Sequence, residues 1–358
     1  MRKNGKIELL RFLFSLSVLL FHLQKYLPGE IVLTKDIHFD FFPHGATGVE
    51  FFFIVSGFWL ASSVFYANEH KKHLPLGDAT FLFIKNKYLS LLPMRLMVFV
   101  ILFVITALDK GWGKLGIATN LLANLPGLLL VQMSGFGKVY LNHVEWYLSV
   151  MLIGMLILYP LLRKYYNTVS RIVAPLVAIF VLGYMFKNYG RLTGVTSWEG
   201  FCYRSMLRGI SELCLGIVCF EICKNLRDFT FNRLQRLLFT GFELLCWIAV
   251  FAMVMLTFPR QLEFYILLIT ALGTICAFSG QSYGTRFFQN SVCFYLGKLS
   301  LPIYLCQLIP ITLVPKYLGH LPMNYQMWIA FIFTMLLSVL LLFLSGLRSR
   351  KKQAQVVS

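Results

Sequence analysis

The sequence predicts an all-α polytopic transmembrane bundle of about ten spanning helices, with N-terminus and C-terminus both cytoplasmic. Three observations carry that prediction. First, 358 residues that are 58% hydrophobic and only 13% charged, with a mean hydropathy of +0.71, hold too little polar material to solvate a globule of that size. Second, apolar runs near the ~20 residues that cross ~30 Å of hydrocarbon recur along the whole chain, separated by short polar connectors. Third, Lys and Arg gather in alternate connectors, which fixes a topology. One membrane domain over 1–347 is expected, followed by a short basic cytoplasmic tail at 348–358.

The expected spans are 7–27, 46–67, 88–108, 146–163, 172–189, 204–223, 237–257, 263–280, 293–314 and 325–345. The stretch 118–134, "ATNLLANLPGLLLVQMS", is apolar but holds two Asn and a Pro-Gly pair, so it reads as interfacial or re-entrant. With the N-terminus inside, the inner side collects Arg2, Lys3, Lys6, Lys71, Lys72, Lys85, Lys87 and Arg95. It also takes the cations of 163–171, 224–236, Arg286 and the 348–352 tail. Counting 118–134 as a crossing would put "LRKYYNTVSR" and the basic 224–236 connector outside, against the positive-inside rule. The net charge of +18 then follows from basic inner loops beside anionic lipid, and no nucleic-acid partner is expected. The first run is long, interrupted by Arg11 and without a small-x-small cleavage site, so it is expected to stay as a signal anchor in a cell membrane. The eight cysteines show no CxxC or Cys/His ligand spacing and are expected as free, buried thiols. No paired Gly/Pro-broken helices occupy matching positions in two halves, which weakens a transporter reading.

Within the first span, "IELLRFLFSLSVLLFHLQKYLP", two residues are expensive in hydrocarbon. Arg11 and His22 are eleven residues apart, which on a helix is three turns plus about 20°, so they share a face roughly 16 Å apart along the axis. An arginine inside a span costs about 2.5–3.5 kcal/mol on insertion scales and ordinarily faces the bundle interior or a wet cavity. Arg11 is close enough to the inner interface to snorkel, and Glu8, three residues away, can neutralise it. His22 lies in the outer half, where burial favours the neutral imidazole that a general base requires.

The second span, "GVEFFFIVSGFWLA", places Glu50 in or near the membrane ahead of a tight cluster from Phe52 to Phe58. Here the sequence resembles acyltransferase family 3, whose first span carries Arg, ten residues, then His, and whose second carries FFxxSGF. Both patterns are present, in consecutive spans. The later elements match in part. "FLFIKNKYLSLLP" resembles the family's basic R-x-x-R-x-x-P segment through Lys87 and Pro93, with Ser90 at the second Arg and with Lys85 and Arg95 nearby. "WYLSVMLIGMLILYPL" keeps Trp146, Ser149, Tyr159 and Pro160 but has Met151 and Leu152 where many members have glutamates. "LGKLSLPIYLCQ" keeps Gly297, Lys298, Ser300 and Tyr304 but ends on Gln307 where His is common.

The resemblance implies an acyltransferase of the stand-alone type, moving an acyl group, usually acetyl, from cytoplasmic acyl-CoA to a hydroxyl of a carbohydrate or lipid-linked glycan across the bilayer. A capsular or exopolysaccharide repeat unit is the expected acceptor. In that reading Arg11, Lys85, Lys87 and Arg95 meet the phosphates of acetyl-CoA, and His22 is the catalytic base. Glu50 orients the imidazole or binds acceptor hydroxyls. Ser56 either touches substrate or, with Gly57, lets helices approach. Trp146 is a belt residue or stacks on a sugar. Arg208 and Glu212, with Arg204 one turn before them, form a structural pair or line the acceptor path, and Tyr304 completes the substrate-binding set. No metal is expected: His38 and His44 lack partner spacing, and no Gly-rich phosphate loop, GxSxG or HExxH occurs. The alternatives are a transporter or flippase of a glycan-lipid intermediate, and a noncatalytic scaffold of an assembly complex. Whether the chain forms a homo-oligomer stays open.

Overall fold

The computed structural model describes residues 4–27, 31–34, 37–39, 42–70, 74–136 and 141–357, with the backbone alone at 31–34, 37–39 and 347–357. Arg2, Lys3, Lys71 and Lys72, and the side chains of His38 and of the basic tail, lie outside the described residues.

The chain opens with α1 (Gly5–Tyr26), a short antiparallel hairpin of β1 (Ile31–Thr34) and β2 (Ile37–Phe39), then α2 (Gly48–Glu69) and the long α3 (Leu76–Asp109). Two short helices follow, α4 (Lys114–Ala123) and α5 (Leu125–Leu128), ahead of α6 (Trp146–Lys164), α7 (Tyr166–Thr168) and α8 (Ala174–Tyr189). A two-residue ladder of β3 (Trp198–Glu199) and β4 (Cys202–Tyr203) leads into α9 (Arg204–Leu226), α10 (Arg233–Met255) and α11 (Glu263–Ser279). The chain ends with α12 (Thr285–Phe288), α13 (Ser291–Cys306), α14 (Leu308–Leu318) and α15 (Met323–Val357). This is the all-α polytopic bundle that the apolar runs predict.

Among the described residues eight helices are long and apolar enough to cross a bilayer, or nine if α13 and α14, bent by 56°, count as one span. The expected set of about ten counts one more, α9, the 204–223 span. That segment is a 23-residue helix, but Arg204, Arg208, Glu212, Glu221 and Lys224 make it too charged to count on composition. It can carry those charges because it is the central helix, packed against α2, α6, α8 and α11. The bend at Gln307 has a local cause. Pro310 has no N–H to donate, and its ring collides with the carbonyl four residues back, at Cys306, where α13 stops. The 118–134 stretch divides into α4, α5 and a 3-10 turn at Gln132–Ser134, each too short to cross.

Association of α2 with α9 depends on two glycines. A Cβ at Gly57 would stand 2.0 Å from the Leu213 carbonyl oxygen, and one at Gly216 would stand 2.1 Å from that of Ile54. The backbones touch there, as small residues allow in membrane bundles. Gly57→Ala and Gly216→Ala are each expected to destabilise the protein by about 1–3 kcal/mol through overpacking. Thermal unfolding of the detergent-purified variants checks this; unchanged melting for both would contradict the packing described. Around this crossing Phe58 stacks on Phe278 with centroids 3.8 Å apart, and Phe14 on Phe51 at 4.5 Å. On the outside, α3 and α10 present Val100, Val104, Leu237, Leu238 and Leu245, an apolar coat suited to hydrocarbon. Lys6 is tied by its ammonium to Glu243 and Ser282, both at 2.9 Å, anchoring the start of α1.

Candidate active site

A cavity of about 170 Å³ lies among five helices, and helical periodicity explains who lines it. From α2 come Phe52, Val55, Ser56 and Trp59, spaced i, i+3, i+4, i+7 along one face. From α6 come Tyr147, Leu148 and Met151, from α13 Ser300, Leu301 and Tyr304, from α3 Lys87 and Leu91, and from α1 Arg11. Ser56 and Gly57, neighbours in sequence, therefore do different jobs: Ser56 faces the cavity and Gly57 the α9 backbone.

Two cations face this space. Arg11 donates from Nη1 to Glu8 Oε2 at 3.1 Å, and Gly297 makes room for that carboxylate, since a Cβ there would stand 2.1 Å from Oε2. The Lys87 ammonium, close enough to Arg11 to feel its charge, makes no ion pair or hydrogen bond among the described residues. A spanning-helix cation left without an anion is costly and marks a site that takes one. Hydroxyls complete the lining: Ser56 Oγ lies 3.1 Å from Tyr147 Oη, which donates to the Phe52 carbonyl at 3.2 Å. Tyr304 Oη donates to the Val144 carbonyl.

His22 is not in the wall of that cavity. Its Nδ1 lies 2.9 Å from the Val18 carbonyl oxygen. A carbonyl only accepts, so Nδ1 carries the hydrogen and Nε2 is left with its lone pair. Around the imidazole stand Tyr26, at 6.3 Å between ring centroids, and His143 at 6.4 Å, themselves joined by a 3.1 Å Tyr26 Oη to His143 Nε2 contact. Gln307, at the α13–α14 bend, reaches toward the imidazole. It is fully buried and donates its amide to the Tyr304 carbonyl at 2.8 Å. Tyr304 and Gln307 thus stand between the Arg11 cavity and His22.

The other expected site residues fall elsewhere. Glu50 does not touch His22 but accepts from Arg208 Nη2 at 2.8 Å, while Arg208 Nε donates to Glu212 at 2.9 Å. The Arg208 guanidinium lies 5.4 Å from the Trp146 ring and bonds the Leu192 carbonyl at 3.3 Å. Glu50, Arg208 and Glu212 are therefore one buried cluster with Trp146 beside it, none of them lining the cavity, and among the described residues Glu50 Oε2 and Glu212 Oε2 have no hydrogen-bond partner. Arg95 does not join Lys87. It is buried, paired with Glu145 at 2.6 Å, and donates to the carbonyls of Gly127 and Leu128. Lys85 is exposed, its ammonium 5.8 Å from the Phe81 ring. Tyr147 and Trp59 were not singled out from sequence; the signal for Tyr147 was its place one turn before Met151 on the same helix face. No group of three or more His, Cys, Asp or Glu among the described residues could hold a metal ion.

Fold and site define a multi-pass membrane protein that gathers buried cations and hydroxyls between its spanning helices. The family model described as an acyltransferase domain, that of acyltransferase family 3, matches residues 4–346. The chain belongs to that family and is a membrane acyltransferase. Neither the curated proteins nor the solved structures contain a match to it.

Proposed function

We propose that this protein transfers an acyl group, acetyl in the simplest case, from acyl-CoA to a hydroxyl of a carbohydrate or lipid-linked glycan. The observation that carries the reading is the Lys87 ammonium, unpaired among the described residues, facing the same cavity as Arg11. Coenzyme A brings phosphate charges, and charge-assisted bonds from these two residues hold them. At about 170 Å³ the cavity is smaller than the ~300–1,000 Å³ of sites that engulf a whole small molecule. It suits a linear pantetheine arm, with the nucleotide outside. That arm spans the roughly 16 Å of rise from Arg11 to His22, bringing the thioester to the Tyr304–Gln307 edge.

There His22 Nε2 removes the proton from the acceptor hydroxyl as its oxygen attacks the thioester carbonyl. The tetrahedral adduct collapses, the C–S bond breaks, and the CoA sulfur takes the proton back from His22. The excess of Lys and Arg in the N-terminal-side connectors supports an inward-facing donor site and an outward-facing acceptor in the cell membrane. A capsular or exopolysaccharide repeat unit is the acceptor this reading takes.

Reconstituted protein supplied with acetyl-CoA and surface glycan is expected to release free CoA and leave an alkali-labile ester on the glycan. A glycan that crosses the bilayer while acetyl-CoA stays intact would make the protein a flippase instead. Lys87→Gln is expected to raise KM for acyl-CoA about ten- to a hundredfold, the loss of one charged hydrogen bond, with thermal unfolding unchanged. An unaltered KM would contradict the role given to Lys87.

A further inference from the structure

A second cavity, of about 430 Å³, is lined by Asn188, Tyr189, Gly190, Arg191, Arg204, Pro259, Arg260 and Gln261. It belongs to the connectors before α9 and α11 and shares no residue with the cavity at Arg11. Its size falls within the ~300–1,000 Å³ range of small-molecule sites. Three guanidinium groups face it, and the local carboxylates do not balance them. Arg204 lies over the Tyr189 ring, 3.7 Å from its centroid, and donates from Nε and Nη2 to Glu199 Oε1 at 3.1 and 2.6 Å. The other Glu199 oxygen accepts from Tyr189 Oη at 2.7 Å. The Tyr189 hydroxyl and then Arg204 hold the Glu199 carboxyl below the usual carboxylate range, so it is a committed anion with both oxygens engaged.

Arg260 Nη1 lies 3.1 Å from Glu263 Oε1. That carboxylate also meets His44 Nδ1 at 3.2 Å and the Leu192 N–H at 3.1 Å. Arg191 is exposed and makes no ion pair or hydrogen bond among the described residues. Two carboxylates facing three guanidinium groups leave one positive charge in excess. Asn188, whose amide donates to the Tyr184 carbonyl, keeps its side-chain oxygen for other partners.

We propose that this cavity binds the anionic group of the acceptor, the carboxylate or phosphate of an acidic glycan, through Arg191 and Arg260. Planar guanidinium forks match both anions bidentately, and a neutral sugar would leave the excess charge unanswered. The 42–47 segment links this cavity to the α1 face below His22: His44 contacts Glu263, and Gly45 packs on Ser17 and Phe21. In this proposal an extended glycan presents a hydroxyl at His22 while its charge is held in this cavity. This rests on the proposed acyl transfer to a glycan, and it narrows the acceptor to acidic ones.

The test is calorimetric binding to the full-length protein in detergent, without acyl donor, using trigalacturonate, its neutral methyl ester and pyrophosphate. Trigalacturonate or pyrophosphate is expected to bind, more tightly at low salt, with the ester at least about tenfold weaker than the free acid. Which anion binds tells a uronate from a phosphate-bearing acceptor. The double variant Arg191→Gln/Arg260→Gln is expected to lose about ten- to a hundredfold in affinity with its thermal unfolding intact. Trigalacturonate bound no more tightly than its ester when it does bind, no binding of either anion, or no response to the double variant would overturn the proposal. Binding of dihexanoyl phosphatidylglycerol in place of both anions would give the cavity to a lipid headgroup and overturn it as well. Because no acyl donor is present, failure here leaves the transfer reaction untouched, and absence of CoA release leaves this binding measurable.

Discussion

His22→Ala is expected to lower acyl transfer by about 10²–10⁴-fold, the ordinary contribution of a positioned general base, while the protein accumulates and melts as the parent does. The fold gives the reason for both halves. The imidazole donates from Nδ1 to the Val18 carbonyl, and loss of that bond costs about 1 kcal/mol, too little to unfold a domain stable by about 5–15 kcal/mol. What disappears is the Nε2 lone pair. Acyl-ester formation on the glycan and CoA release, measured together, check the result. Transfer at the parent rate would remove His22 from the chemistry.

Arg208→Ala is expected to act in the opposite manner, by destabilising the protein. It leaves Glu50 and Glu212 buried without their shared cation, and breaking a buried ion pair by removing one partner costs about 3–5 kcal/mol. Abundance and thermal stability should fall together with activity. Glu50→Gln keeps an acceptor for Arg208 and leaves Glu212 as its counter-ion, so a much smaller loss is expected. If Arg208→Ala melts as the parent does yet loses activity, this cluster serves the substrate rather than the scaffold.

The parts of this structure that were legible in the sequence are those governed by local periodicity. The apolar runs mark the spans, and the Phe52–Phe58 cluster flags the helix from which Phe52, Val55 and Ser56 line the cavity. Long-range pairing was not legible. Arg95 looks like a neighbour of Lys87 on α3, but the nearest anion that can satisfy it is Glu145, 50 residues on, beyond two short helices that no period reveals. Glu50 and Arg208 are 158 residues apart, and nothing local to either one announces the other. The 204–223 span stands out for the converse reason, since a helix surrounded by other helices can bear charges that hydropathy counts against it. Gln307 reads as a plain departure from the family's His. Only the bend imposed by Pro310 turns its amide toward His22.

The most direct test is a structure of the protein with a nonhydrolysable acetyl-CoA analogue. The account predicts phosphate oxygens within hydrogen-bond distance of Arg11 and Lys87, with the arm threaded past Ser56 and Tyr147. The analogue's carbonyl carbon should then lie within about one water's breadth of His22 Nε2. An analogue held away from Lys87, or a carbonyl still on the Arg11 side of an undisturbed Tyr304–Gln307 wall, would contradict it.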